Sequence, residues 1–101
     1  MKVCLQPEAL DDLREIAAYI ARKNEQRAAS HAAVLRGKIA QLSTMGKSFR
    51  IIPRYAVSSL RRRVFGAYQI LFLVNEESDV VDVLRVLHSS RNLDEILRGF
   101  E

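Results

Sequence analysis

Two runs in the second half of the chain carry apolar residues on both faces of a strand. They are Tyr68-Gln69-Ile70-Leu71-Phe72-Leu73-Val74 and Val80-Val81-Asp82-Val83-Leu84-Arg85-Val86-Leu87-His88. Both are rich in β-branched and aromatic residues and bounded by turn residues, so they read as strands. Side chains alternate faces along a strand. Tyr68, Ile70, Phe72 and Val74 therefore share one face of the first, with Leu71 and Leu73 on the other. In the second, Val80, Leu84 and Val86 oppose Val81, Val83 and Leu87. A sheet built on such strands needs cover on both sides.

The first half of the chain supplies one cover. Leu10, Leu13, Ile16, Ala17 and Ile20 fall three and four apart, an apolar stripe on a helix that opens at Pro7 or Glu8. Ala28, Ala32, Leu35, Ile39 and Leu42 repeat in the same way over a second helix from Glu25 to Met45, stopped by Gly46. Lys23-Asn24-Glu25 is too short a connection for anything but an antiparallel hairpin, with Asn24 as a left-handed cap of the first helix. Val3 and Leu5 mark a short strand before Pro7, and Arg61–Phe65 leads through Gly66-Ala67 into the Tyr68 strand. Lys47–Ser59, with Pro53, reads as loop, and Leu93–Gly99 as a closing helix. The expectation is one α+β domain over residues 1–101, ordered β-α-α-β-β-β-(α), with the helical hairpin packed on a small antiparallel sheet. Little chain remains for the sheet's second face, which points to a partner there.

Charge is segregated. Residues 26 to 75 contain no acid and carry nine cations, Arg27, Arg36, Lys38, Lys47, Arg50, Arg54, Arg61, Arg62 and Arg63. Acids flank this block, from Glu8 to Glu15 and from Glu76 to Asp82. Such a field draws anionic partners. Chemistry of the enzymatic kind is sparse: no Gly-rich phosphate loop and no metal-ligand spacing is present. His31 and His88 are far apart in sequence, and Cys4 reads as a small buried hydrophobe. No metal, cofactor, disulfide or membrane span is expected. The N-terminal residues lack an apolar signal segment, which leaves a cytoplasmic location.

Leu60 to Val74 and Val83 to Asn92 hold the most specific signal. An arginine-bearing strand passes through Gly66-Ala67-Tyr68 into Tyr68-x-Ile70-x-Phe72-x-Val74, and the last strand ends in Arg85-Val86-Leu87-His88-x-x-Arg91. Ala9-x-x-Asp12-Leu13-x-x-Ile16-x-x-Tyr19-Ile20-Ala21 precedes them. In this order the motifs resemble the RelE/ParE toxin superfamily, the ParE branch in particular, over nearly the whole chain. The resemblance implies the toxin of a type II toxin–antitoxin pair, neutralised by direct binding of a ParD-like antitoxin in a hetero-oligomer, with two toxins on an antitoxin dimer as one arrangement. ParE-like members inhibit DNA gyrase and so block replication; RelE-like members cleave mRNA on the ribosome.

RNA cleavage needs a base, an acid and cations for the phosphorane. RelE-like toxins resemble one another in supplying a C-terminal Tyr or His. The segment after Arg91 has neither, Phe100 lacks the hydroxyl, and Asp94 and Glu95 would repel phosphate. A non-enzymatic gyrase inhibitor is therefore the expectation. Arg61, Arg62, Arg63, Arg85, His88 and Arg91 are the candidates for contacting partner or target, and sequence-specific nucleic-acid binding by the toxin alone is not expected. Two alternatives stay open: a nuclease using Arg61, Arg63, His88 and Arg91, and a toxin-fold binder of another target. A local role for the arginines, pairing with Glu76, Glu77 or Asp79, also stays open, and Tyr68 and Phe72 read as core.

Overall fold

The first strand and helix are set by one proline. Pro7 ends β1 (Lys2–Leu5) and occupies the first turn of α1 (Pro7–Ala21), where its missing N–H costs nothing. The computed structural model describes residues 1–52, 59–93 and 95. Asn24 does not cap α1. Its backbone is extended (φ −166°, ψ 107°), and its side-chain oxygen accepts the Arg27 N–H at 3.0 Å, which makes it the N-cap of α2 (Glu25–Ala40).

The second helix is shorter than its pattern. It breaks at Gln41, then resumes as α3 (Leu42–Met45) and a 3₁₀ turn over Gly46–Ser48. At the break the Thr44 N–H bonds to Gln41 O, three residues back, in the tightened register of a 3₁₀ helix. Gly46 is not a left-handed stop, since its φ is −52°. It is needed for approach: a Cβ there would lie 3.3 Å from Val74 Cγ2 and 3.6 Å from both Phe72 and Val81.

Strands β2 (Arg61–Phe65), β3 (Tyr68–Asn75) and β4 (Val80–His88) join β1 in one sheet of order β1-β4-β3-β2. The sheet is mixed rather than antiparallel throughout. β1 runs parallel to β4, from Lys2 opposite Val80 to Leu5 opposite Val83, because the helical hairpin is a long crossover that returns the chain in the same direction. The other two pairings are antiparallel, and Gly66, with φ +57°, turns β2 into β3.

The helices pack on one face. Ala9, Leu35, Ile39, Leu42, Ile70, Phe72, Val81, Val83 and Val86 form the core there, with Leu13 and Ile16 against it. Leu10 lies outside this stripe, 38% exposed, because α1 turns its Ala9–Asp12 side inward and Leu10 sits one step round the helix. The faces of β4 also differ from strict alternation. Leu71 pairs with Arg85 and Phe72 with Val83, so Leu84 is an extra, bulged residue. The bulge resets the phase: Val81, Val83 and Val86 join the helix-side core, while Leu84 and Leu87 lie in the opposite cluster.

That opposite cluster corrects the expectation of an open face awaiting a partner. Leu71, Leu84 and Leu87 are buried together with the chain's own Leu60 and Leu93, and Ile52 and Leu73 pack at the margin. The segments flanking the sheet thus fold back over it. The expected closing helix begins at Leu93, but residues 96–101 lie outside the described residues, as do residues 53–58 of the loop.

The two glycines in the helical half predict opposite responses. Gly37 faces open space, with nothing within 4 Å of an added Cβ. Gly37→Ala is expected to stabilise the protein by about 0.5–1 kcal/mol. Gly46→Val forces a branched side chain against the sheet and is expected to cost about 1–3 kcal/mol. Thermal unfolding of the two variants should show midpoints moving in opposite directions.

Candidate functional site

β1 pairs with β4 only as far as Val83, so the N–H groups beyond that point need another partner. Asp12 of α1 provides it. Its Oδ2 accepts the Val86 N–H at 2.9 Å and the Arg85 Nε–H at 2.7 Å, while Oδ1 accepts from Arg85 Nη2 at 2.8 Å. The pair is largely enclosed, with side-chain exposures of 7% for Asp12 and 20% for Arg85. The hydrogen bond to Asp12 raises the Arg85 pKa; burial opposes it, and the charges of Asp12, Glu8 and Glu15 add to it. A raised cationic pKa stabilises the fold fully below the ordinary arginine value and is lost only as pH climbs through the raised one. The contribution is therefore constant across the working pH range.

Just beyond Val86 lies a cleft of about 400 Å³, walled by Glu15, Tyr19, Tyr68, His88, Ser90 and Arg91, with Asp12 at its side. His88 pairs across the sheet with Tyr68, and their rings meet edge-on at 5.6 Å. The Ser90 N–H donates to His88 Nδ1 at 3.1 Å, and Ser90 Oγ lies 2.7 Å from the same atom.

Arg61 and Arg63 are occupied elsewhere. Arg61 donates to Phe49 O at 2.7 Å and Lys47 O at 3.2 Å. Arg63 donates to Lys38 O at 2.9 Å, in the last turn of α2, and its guanidinium lies 4.9 Å from the Phe49 ring centroid. They tie the edge strand β2 to the helical layer through backbone carbonyls, not through Glu76, Glu77 or Asp79; Glu76 pairs with Lys47 at 3.2 Å. Arg62 alternates to the other face and is exposed. Arg61 is opposite Phe72 and His88 opposite Tyr68, so their backbones are four residues and two strands apart, roughly 16 Å.

The structure thus brings His88 and Arg91 together and sets Arg61, Arg62 and Arg63 apart from them, with Arg85 held by Asp12. Tyr68 is half-buried in the cleft wall rather than in the core, whereas Phe72 is fully buried. Tyr19 and Glu15 were not legible as cleft residues, although their i, i+4 spacing from each other was the available signal. On the other side of Tyr19 and Tyr68 lies a second cleft of about 620 Å³, formed by the α1–α2 connection, α2 and the Gly66-Ala67 turn. His31 in its wall keeps Nε2 buried without a hydrogen-bond partner. Such an atom costs about 1–3 kcal/mol.

The Asp12 network should dominate local stability. Asp12→Ala strands the Val86 N–H and the Arg85 cation and is expected to cost about 3–5 kcal/mol. Arg14→Ala removes only the exposed Arg14–Asp11 pair and is expected to stay within about 1 kcal/mol of the parent. Urea unfolding of both variants compares these directly.

The same architecture occurs in solved toxins. The chain superposes on the chromosomal ParDE TA system from P. aeruginosa with a TM-score of 0.72, at 16% identity, covering 87% of this chain and 95% of that one. A chain of the RelBE2 toxin–antitoxin complex from Mycobacterium tuberculosis gives 0.62 at 23% identity, covering 86% and 95%. The isolated E. coli RelE toxin gives 0.55 at 16% identity, covering 99% and 98%. At these identities the likeness establishes the fold. No curated protein sequence matches significantly. Residues 3–93 do match the family model for the ParE toxin of type II toxin–antitoxin systems, parDE. The chain therefore belongs to the ParE toxins of type II toxin–antitoxin systems.

Proposed function

We propose that this toxin acts without catalysis, as an inhibitor of DNA gyrase held silent by a ParD-like antitoxin. The observation that carries the non-catalytic part is the separation of the groups a ribonuclease would have to combine. Arg61 and Arg63 are spent on the carbonyls of residues 38, 47 and 49, and roughly 16 Å of sheet divides Arg61 from His88. Near His88 the cleft presents Glu15, whose charge opposes an incoming phosphate, while Asp12 is matched by Arg85. Gyrase as target rests on membership of the ParE family.

Purified protein is expected to inhibit supercoiling by purified gyrase and to leave mRNA intact in a translation reaction. Codon-specific RNA cleavage that disappears in His88→Ala or Arg91→Ala would replace this reading with the RelE-like one. Intact RNA together with unaffected supercoiling would favour a toxin-fold binder of another target.

The antitoxin reading is supported by charge layout and by the toxin–antitoxin systems that share the fold. Arg62 is exposed on the edge strand β2, inside the acid-free block. The β2 edge at Arg62 is taken by the chain's own Arg50–Ile52 segment, the Arg62 N–H bonding to Arg50 O, so an acidic antitoxin segment beside it would gain charge matching with the exposed guanidinium. Arg62→Gln is expected to slow association with the antitoxin while leaving dissociation nearly unchanged, and added salt should slow the parent in the same direction. Stopped-flow mixing at low and high salt measures both. Equal association rates for variant and parent at low salt would remove Arg62 from the encounter.

A further inference from the structure

We propose that the sheet margin at Arg50 and Arg62 is a contact surface for the phosphate backbone of duplex DNA. The Ile51–Arg61 bridge sets Arg50 directly opposite Arg62, and the Arg62 N–H donates to Arg50 O at 3.3 Å. Cross-strand partners project to the same face, with Cβ atoms roughly 5 Å apart. Both residues are exposed, and among the described residues neither forms an ion pair. Like charges set directly opposite one another destabilise a strand pair. The free protein therefore carries a repulsion here that a bound anion would relieve.

The neighbouring side chains strengthen the field. Arg61 and Arg63 stay fastened to backbone carbonyls, which leave their net charge uncancelled, and Lys38 stands with its Nζ 5.4 Å from the Phe65 ring centroid. Lys47 is the neighbour that has a carboxylate, Glu76, beside it. A surface of unbalanced cations favours a polyanion. The lack of a stacking platform favours the backbone of a duplex over a single strand. Arg62 lies opposite Leu71, on the side of the sheet away from the helices, and Val64 is the exposed apolar side chain next along that face. Tyr19, the exposed aromatic among the described residues, is on α1 on the other side of the sheet. Bases have no ring to stack on, whereas paired guanidinium groups suit phosphate oxygens. The choice of DNA rests on the gyrase reading, which brings the toxin to a duplex, and a contact of this kind is independent of base sequence.

The test is fluorescence anisotropy of a labelled DNA duplex of arbitrary sequence, titrated with the purified full-length protein at several salt concentrations and without gyrase. Saturable binding is expected, with log Kd rising linearly with log salt. Arg50→Gln/Arg62→Gln should weaken binding roughly 10–100-fold and lower the salt slope by about 2, one phosphate for each arginine. Its thermal midpoint should equal or exceed the parent's, since the repulsion is gone. Arg14→Gln/Arg22→Gln removes the same net charge from α1 and its end, and should keep the parent's salt slope. No saturable binding below about 1 mM at low salt, equal weakening in the α1 double variant, or equally tight binding of a charge-matched oligoglutamate would each overturn the proposal. Duplex RNA bound more tightly than DNA would overturn the choice of DNA. Gyrase is absent from the assay, so a failure here is distinct from a failure to inhibit supercoiling.

Discussion

One carboxylate joins the two layers of this protein. β1 stops short of the far end of β4, leaving the edge of a central strand uncovered where α1 crosses it. A water-exposed edge would be tolerable, but the Val86 N–H is buried against the helix and must be paired. Asp12 takes that N–H and, with it, the guanidinium of Arg85, so one side chain closes the sheet, anchors α1 and neutralises a largely enclosed cation. The same contact sets where β4 leaves the sheet, and hence where Tyr68, His88 and Arg91 stand. Burying a charge pair of this kind adds little net stability over an apolar substitute, yet removing one member is severe. Its value lies in holding the helix and strand at one relative position.

The arginines of β2 divide along the same logic. The outer edge of β2 is bridged at Arg61 by the chain's own Arg50–Ile52 segment, and Arg61 and Arg63 fasten the strand further by reaching the carbonyls of Lys47, Phe49 and Lys38. The Lys38 carbonyl lies in the last turn of α2, where the helix dipole favours the Arg63 cation. Only Arg62, pointing away, is left for an outside partner. A basic run that looks uniform in one dimension is thus two fasteners and one exposed charge. The wider charge pattern survives folding: α2 and β2 carry the basic block, while acids lie on α1 and at the β3–β4 turn.

Elements with strong periodicity were legible in the sequence. The two helices, their antiparallel hairpin, the strands β2, β3 and β4 and the Gly66 turn follow from spacing, turn chemistry and chain connectivity. Three features were not. The parallel β1–β4 pairing depends on which edge the returning chain meets, and Val3 and Leu5 say nothing of that. The bulge at Leu84 falls in a run that carries apolar residues on both faces, so alternation does not mark it clearly. The second cover of the sheet needed Leu60 and Leu93, single leucines in segments without period, whose burial is a consequence of where β2 and β4 end.

The candidate site divides in the same way. The motif from Arg85 to Arg91 marked the right end of the last strand, because its residues are local to one another. The amino-acid order by itself determined the α+β class, the hairpin on a sheet, the segregated charge and the toxin family. Tertiary structure alone decided that Asp12 claims Arg85, that Arg61 and Arg63 bond to carbonyls rather than carboxylates, and that Tyr19 and Tyr68 stand between two clefts. The physical reason is range. Periodicity and turn chemistry act over a few residues, whereas these contacts join groups from about ten to more than seventy positions apart, and only the packed layers bring them within reach.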